Sequence, residues 1–495
     1  MPTTPSEFLK QIGAAAAEYP HEVAYSNGTE SMERGELWKR ARKLAEYIRG
    51  LPGDPKAPVL LVGHKDPTMV VGFLAAALAG RAYVPVDDQL PAERMVRIRE
   101  VVKPAAELRG VEVEGFSQGE PGAEVESTSE LDDPYYILFT SGSTGEPKGV
   151  VITWRCLLTF LNWLMEEQSF AEHAEVFLGQ TPFTFDVSVM DLYPSLLTAG
   201  THVSIPRTVL VAPRELFALI EKTNPTTWVS TPSFATFCAS DAKFAEALLP
   251  RLKRFLFCGE PLPEQLTALL HERFPKVEIW NTYGPTEATV AVTSIKVTKE
   301  VLESHEAMPL GYAMTGVRVY PGDEQKRPLP DGERGELFIV GPSVSPGYLG
   351  RPDLTAQKFF TLDGQPGYAT GDLASVRDGL LFFHGRMDYQ VKIGGHRIEL
   401  EDVETNLRQL PGVRSAVVLP IKRGQTVEGM AAYVLPFSRE GKSDFELSQQ
   451  FRKALAERLP AYMIPKKWVL RDTLPTNSSG KVDRKTLMAE LEAKG

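Results

Sequence analysis

The sequence predicts an α/β protein, with a large doubly wound N-terminal body, a β-rich stretch after it and a small α+β C-terminal domain. Three observations predict this. Short apolar runs alternate with helical patterns from residue 59 to residue 281. From about residue 310 the pattern changes to short strands with Gly/Pro turns: GVRVYPG, GELFIVG and LLFFHG. A polar, glycine-containing stretch at 385–404, GRMDYQVKIGGHRIELEDVE, then divides the chain into 1–387 and 388–495.

The first element is an amphipathic helix pattern at 8–17, followed by a second at 34–48 that LPGDPKAP terminates. VLLV at 59–62 reads as a buried strand, 68–79 as an alanine-rich helix, and AYVPVD at 82–87 as the next strand. Strand, helix and strand at this spacing form a parallel crossover unit. Residues 110–130 are acidic, contain Gly and Ser, and read as an exposed connection. YYILF at 135–139 has the length of a buried strand. Strand patterns at VFLGQ, THVSI, TTWVS, RFLFC and VEIWN then alternate with helical ones at 156–167, 187–199, 214–222, 232–248 and 263–274. In the last block, SAVVLPI and MAAYVLP are strand patterns, 445–459 is helical, and WVLRD is a final strand.

Composition narrows the function classes. The 495 residues are 43% hydrophobic and 24% charged, as in a soluble globular protein of more than one domain. No stretch approaches the ~20 apolar residues of a membrane span, and the N-terminus lacks a signal-peptide pattern. Cys156, Cys238 and Cys258 are widely spaced with no CxxC, which suggests reduced thiols in the cytoplasm and neither a disulfide framework nor a zinc site. A net charge of −10 argues against nucleic acid as a partner. The charge is uneven: residues 388–495 hold 18 Lys+Arg against 14 Asp+Glu, while the rest of the chain is acidic.

The chemistry centres on TSGSTGEPKG at 140–149, directly after the YYILF strand. Glycines let a backbone approach a ligand closely, and successive N–H and hydroxyl groups suit phosphate oxygens. Lys148 adds a point charge. The Walker pattern GxxxxGK[ST] is not present in this stretch.

This loop resembles the phosphate loop of the adenylate-forming superfamily, which includes acyl-CoA synthetases, luciferases and the adenylation domains of peptide synthetases. NTYGPTEAT at 281–289, YATGDL at 368–373, GRMDYQ at 385–390 and LPTNSSGKVDRKTL at 474–487 match that family in the correct order. The resemblance implies ATP as cofactor, held by Thr140, Ser141, Thr144, Lys148, Asn281, Thr282, Tyr283, Gly284, Pro285, Thr286, Asp372, Phe383, Arg386 and Lys481. It implies that Glu287 helps hold Mg²⁺, a hard cation that takes carboxylate and phosphate oxygens together. The two acceptor oxygens of Asp372 suit the two ribose hydroxyls. Asp388 falls at the family's hinge, about which the C-terminal domain rotates, and GELFIVGPSVSPGYLGRPDLT at 335–355 at an element that supports the site. Lys481 is implied to be the catalytic lysine, offsetting charge on the α-phosphate and on the substrate carboxylate, which is itself the nucleophile.

The acyl substrate is addressed by PFTFDVSVMDLYPSL at 182–196. Asp186 matches the aspartate that binds the α-amino group in amino-acid-activating members. It also stands where an N-cap for a helix beginning near residue 187 would be. With STPSF, FLFCGEPLP and NTYGPTEATVAVT, this string resembles the branch that activates D-alanine. Asp186, Cys258, Val290 and Lys481 are then the substrate-binding set. The implied reaction makes D-alanyl-AMP and passes the acyl group to the phosphopantetheine thiol of a carrier protein. Fourteen residues follow Lys481, so the carrier is expected in trans. The branch implies a cytoplasmic first step in D-alanylation of lipoteichoic acid, without membrane insertion. Two other readings are a stand-alone adenylation enzyme for another small amino acid and a catalytically inactive ATP-binding module. The set Thr140, Asp186, Glu287, Asp372 and Lys481 speaks against the second of these.

Overall fold

The computed structural model describes residues 1–123, 127–142, 146–171, 173, 175–304, 307–423, 426–439, 441–475 and 482–493. The chain forms two compact units. The first comprises Met1–Asp88, Val102–Leu138 and Gly149–Met387, and the second Gln89–Val101, Phe139–Lys148 and Asp388–Gly495.

In the first unit the helix Pro5–Glu18 starts at a capping box, in which Thr4 and Glu7 satisfy each other's backbone N–H groups. Such a cap is worth about 0.5–2 kcal/mol. Its spacing buries Phe8, Leu9, Ile12 and Ala16 on one face. The helix Pro67–Leu78 is apolar all round and buried along its whole length. Gly72 permits this, since a Cβ there would stand 2.8 Å from the side chain of Leu61.

Two sheets carry the body. One runs in the order Ala106–Arg109, Val59–Val62, Tyr83–Val86, Pro134–Thr140, Lys148–Thr153. Its Val59 strand is parallel to both neighbours and buried at every position, as expected of a strand covered on both faces. The other sheet has 14 strands among the described residues. At its centre, Val176–Gly179, Thr227–Ser230, Arg254–Phe257 and Glu278–Tyr283 run parallel and in sequential register. No helix among the described residues is long and apolar enough to cross a membrane.

Two local expectations are corrected. Residues 110–130 are not a bare connection, because Gly110–Phe116 is helical. Arg40 reaches Glu114 at 2.9 Å, and Phe116 stacks on Tyr47 with ring centroids 3.9 Å apart. The helical pattern at 232–248 yields only Pro232–Ala239, followed by turns. The β-rich stretch is continuous with the parallel strands, because Pro309–Ala313 pairs with Thr293–Lys296.

In the second unit, Val413–Arg423 and Thr426–Pro436 form a long antiparallel pair, and Lys467–Leu470 adds in parallel. The stretch at 385–404 is more regular than its composition suggests. Gln390–Ile393 and His396–Glu399 make a hairpin, and the helix Leu400–Arg408 follows at once. Buried Glu404 binds Val418 N at 2.8 Å and Arg484 Nη2 at 2.7 Å, tying that helix to the sheet and to the helix Arg484–Ala493.

Candidate functional site

The parallel strands of the first unit set the site. Gly179, Ser230, Phe257 and Tyr283 end four neighbouring strands, and 180–186, 231–234, 258–263 and 284–290 leave from their carboxyl ends. In open α/β sheets this edge is where ligands bind.

Tyr283 is the last residue of Glu278–Tyr283 and donates its phenolic hydrogen to Asp372 Oδ2. Burial, and then the Asp372 carboxylate beside it, hold that phenol well above its ordinary pKa, so it stays a donor. Asp372 and Arg386 stand opposite each other in antiparallel register, and Arg386 Nη1 meets Asp372 Oδ1 at 2.6 Å. Arg386 Nη2 also donates to Thr370 O at 3.1 Å, and Asp372 N donates to Thr370 Oγ1 at 3.0 Å. Both carboxylate oxygens are therefore engaged, but each retains a lone pair that a hydroxyl can use. Phe383 packs in the same apolar cluster as Tyr283.

Asn281 and Thr282 spend their side chains on the scaffold. Asn281 Nδ2 donates to Pro309 O at 2.7 Å and Thr282 Oγ1 to Phe257 O at 2.8 Å. Gly284 follows, with backbone so close that a Cβ would lie 2.7 Å from Val290 O. Pro285 and Thr286 are half-buried, and Thr286 opens the short turn Thr286–Ala288.

Glu287 in that turn is fully buried. Tyr348 OH donates to its Oε1 at 2.7 Å, and Ser345 N donates to its carbonyl oxygen at 2.8 Å. The stretch 335–355 thus supports the site through Tyr348 and Ser345, neither of which its sequence singles out. No group of three metal-ligating side chains occurs among the described residues. A lone buried carboxylate fits Mg²⁺, which uses one or two carboxylates and draws further ligands from substrate phosphates.

Asp186 opens the turn Asp186–Ser188, while the following helix begins at Val189 with Ser188 at its cap position. The N-cap reading of Asp186 is thus corrected. Tyr136 lies close enough for the Asp186 charge to add to burial in raising the phenol's pKa. Its hydroxyl has no hydrogen-bond partner among the described residues. Sequence reasoning missed Tyr136, whose position in an apolar strand looks purely structural. Cys258 is buried with its Sγ 3.8 Å from Val290 O.

In the second unit, Ser141 Oγ donates to Arg397 O at 2.9 Å and accepts from Glu399 N at 3.0 Å. Lys148 Nζ is 3.9 Å from Glu399 Oε1. The Thr140 hydroxyl oxygen is shut from solvent and has no hydrogen-bond partner among the described residues. Asp388 accepts from Gln390 N at 3.2 Å. Thr144 and Lys481 lie outside the described residues.

Residues 12–349 match the AMP-binding enzyme family, and residues 402–481 match the AMP-binding enzyme C-terminal domain. The D-alanine–D-alanyl carrier protein ligase of Bacillus mycoides (strain KBAB4) is 43% identical over 98% of this chain and 100% of its own. That of Bacillus cereus (strain Q1) is 42% identical over the same shares. Among solved structures, the Vibrio cholerae adenylation domain AlmE, in complex with glycyl-adenosine-5'-phosphate, superposes with a TM-score of 0.84 at 22% identity, covering 99% of this chain and 98% of its own. An NRPS protein containing adenylation and PCP domains superposes with a TM-score of 0.83 at 25% identity, covering 98% of this chain and 84% of its own. With a family model across most of its length and full-length relatives above 40% identity, this chain belongs to the AMP-binding enzyme family.

Proposed function

We propose that the chain activates D-alanine with ATP and passes the D-alanyl group to a carrier protein. The identity of 43% across the full length of a D-alanine–D-alanyl carrier protein ligase carries this reading. In the first half-reaction the D-alanine carboxylate attacks the α-phosphorus of ATP, forming D-alanyl-AMP and releasing pyrophosphate. In the second, the phosphopantetheine thiol of a separate carrier attacks the D-alanyl carbonyl and AMP leaves.

The geometry supports roles for named groups. Asp372 takes the ribose hydroxyls, with Arg386 and Tyr283 fixing its carboxylate. The close backbone at Gly284 and the half-buried Thr286 suit the adenine and α-phosphate. Asp186 holds the substrate ammonium, and Cys258 and Val290 shape the space around the methyl. Mg²⁺ at Glu287 would neutralise phosphate charge. Lys481 is assigned to the transition state, and Thr140, Ser141, Thr144 and Lys148 to the phosphates. Residues 388–495 form the mobile domain with its hinge at Asp388. The place of action is the cytoplasm, at the first step of lipoteichoic acid D-alanylation.

Amino-acid-dependent pyrophosphate exchange, run over D- and L-amino acids, tests the assignment. The expected result is exchange with D-alanine well above all others, and thioester formation on a phosphopantetheinylated carrier. A stronger response to another amino acid would overturn the D-alanine reading.

A further inference from the structure

Gly179 ends the strand Val176–Gly179, and Asp191 lies in the first turn of the helix Val189–Leu197, so the arc 179–191 carries Asp186 between them. One buried polar cluster holds both ends of this arc. Lys65, in the turn between Val59–Val62 and Pro67–Leu78, is 2% exposed. Its Nζ donates to Gly179 O at 2.9 Å and to Gln180 O at 2.6 Å. Asp191 is completely buried, with Oδ1 3.2 Å from His202 Nε2. A Cβ on Gly179 would stand 2.3 Å from Asp191 Oδ2, so this carboxylate lies against the strand end that Lys65 grips. Tyr25 closes the cluster. Its hydroxyl donates to Lys65 O at 3.0 Å, and its ring stacks on His202 at 5.3 Å and 7°.

A lysine is a costly way to satisfy two carbonyls. A buried ammonium loses its hydration, and a neutral amide would donate the same two bonds without that loss. The Asp191 charge lowers the cost through space, since its Oδ2 has no hydrogen-bond partner among the described residues. What charge adds is attraction to Asp191 at the far end of the arc, beside the two bonds that hold its near end.

We propose that Lys65, with Asp191 and His202, positions Asp186 for the substrate ammonium by pinning both ends of the arc from Gly179 to Asp191. This rests on the reading of Asp186 as the amino-acid anchor. Lys65 touches no reacting atom; it is a positioning residue.

Burial pushes the Lys65 pKa down to about 7, with Asp191 opposing the shift. The clamp is therefore an ammonium below that pH and a neutral amine above it. The groups facing it are Asp191 from the helix Val189–Leu197, His202 from the strand Thr201–Ser204 and Tyr25 from Val23–Ser26, with Asp66 on its own turn. Tyr25 stays neutral, because burial raises its phenol far above this range.

The test is pyrophosphate exchange by the full chain, comparing wild type, Lys65→Met and Lys65→Arg. Lys65→Met is expected to raise the KM for D-alanine by about tenfold or more, while the KM for ATP and the saturated kcat stay within about threefold. Wild type is expected to show a KM for D-alanine that climbs between about pH 6.5 and 8.5. Arginine cannot lose its charge there, so Lys65→Arg should flatten the climb; the ratio to wild type cancels the titration of the substrates. A climb that persists in Lys65→Arg does not come from the lysine and overturns the assignment. So do KM values for D-alanine and ATP that rise together, or a lowered Tm with unchanged KM, either of which marks a structural lysine. If Lys65→Met does not fold, the wild-type profile decides, and a flat KM for D-alanine overturns the proposal. If wild type exchanges instead with another amino acid, the D-alanine reading falls, and the same KM split for that amino acid still decides on Lys65.

Discussion

Cys258 Sγ lies 3.8 Å from the carbonyl oxygen of Val290, a β-branched residue held at φ 66°. Thr289 before it also sits in the left-handed region, at φ 64°. Such conformations are costly for branched side chains and persist only where the surroundings impose them. Gly284 backbone crowds Val290 O from another direction, where a Cβ would be 2.7 Å away. The thiol and this carbonyl therefore belong to one stiff wall.

That wall bears on handedness. On the proposed roles of Asp186 and Lys481, the ammonium and carboxylate of the substrate are both fixed, so only methyl and hydrogen distinguish D- from L-alanine. On the proposed assignment of Cys258 to the substrate-binding set, its buried sulfur would crowd the methyl of the L enantiomer. Cys258→Ala is expected to raise kcat/KM for L-alanine about tenfold, in line with the ~1–3 kcal/mol that one methyl-sized contact can discriminate, while D-alanine changes less. Steady-state exchange with both enantiomers measures it, and an unchanged D-to-L ratio would place the discrimination on another wall.

Asp372 carries a second expectation. Its carboxylate is held by Tyr283 and Arg386 in a largely buried setting. Asp372→Asn removes the charge that orders both partners and weakens the ribose contact. Bonds to a charged group are worth about 1.5–3 kcal/mol, so the KM for ATP should rise roughly ten- to hundredfold. The KM for D-alanine should stay within about threefold. Equal increases in both would count against a ribose role.

Lys481 is assigned to charge developing on the α-phosphate during adenylation. Lys481→Ala should slow pyrophosphate exchange by ~10²–10³ or more, the usual cost of losing such a group. Thioester formation from supplied D-alanyl-AMP should remain largely intact. Normal exchange by this variant would remove Lys481 from the mechanism.

Asp388 begins the part of the second unit that runs to the C-terminal end, and its carboxylate accepts from Gln390 N at 3.2 Å. A hinge here must change φ between half-reactions, and proline fixes φ near −65°. Asp388→Pro is expected to impair one half-reaction far more than the other when exchange and carrier loading are assayed separately. Equal loss of both, with a lowered Tm, would point to misfolding.

Much of this protein was legible before folding was considered, because local pattern carries it. The helices Pro5–Glu18 and Arg34–Arg49 and the strand Val59–Val62 follow from 3.6-residue periodicity or a short apolar run, which depends only on neighbours in sequence. The chemical motifs were legible for a related reason: a close-approach glycine and the polar residues beside it must be consecutive to work, as in NTYGPTE at 281–287.

Other features depend on which distant segments meet. The helix Gly110–Phe116 is too short to persist alone and is braced by Arg40 and Tyr47, far earlier in the chain. Tyr348 reads as part of a supporting stretch until folding brings its hydroxyl to Glu287, 61 positions away. Lys65 belongs to no motif in the sequence, yet it ends buried on carbonyls 114 and 115 positions later. By itself the sequence determined which faces are apolar, where strands and helices begin, and which residue types are available for adenylate chemistry. Only the tertiary structure decided which buried charge meets which partner, because long-range pairing is selected by the cost of leaving a polar group unsatisfied in the interior, and no local pattern encodes that cost.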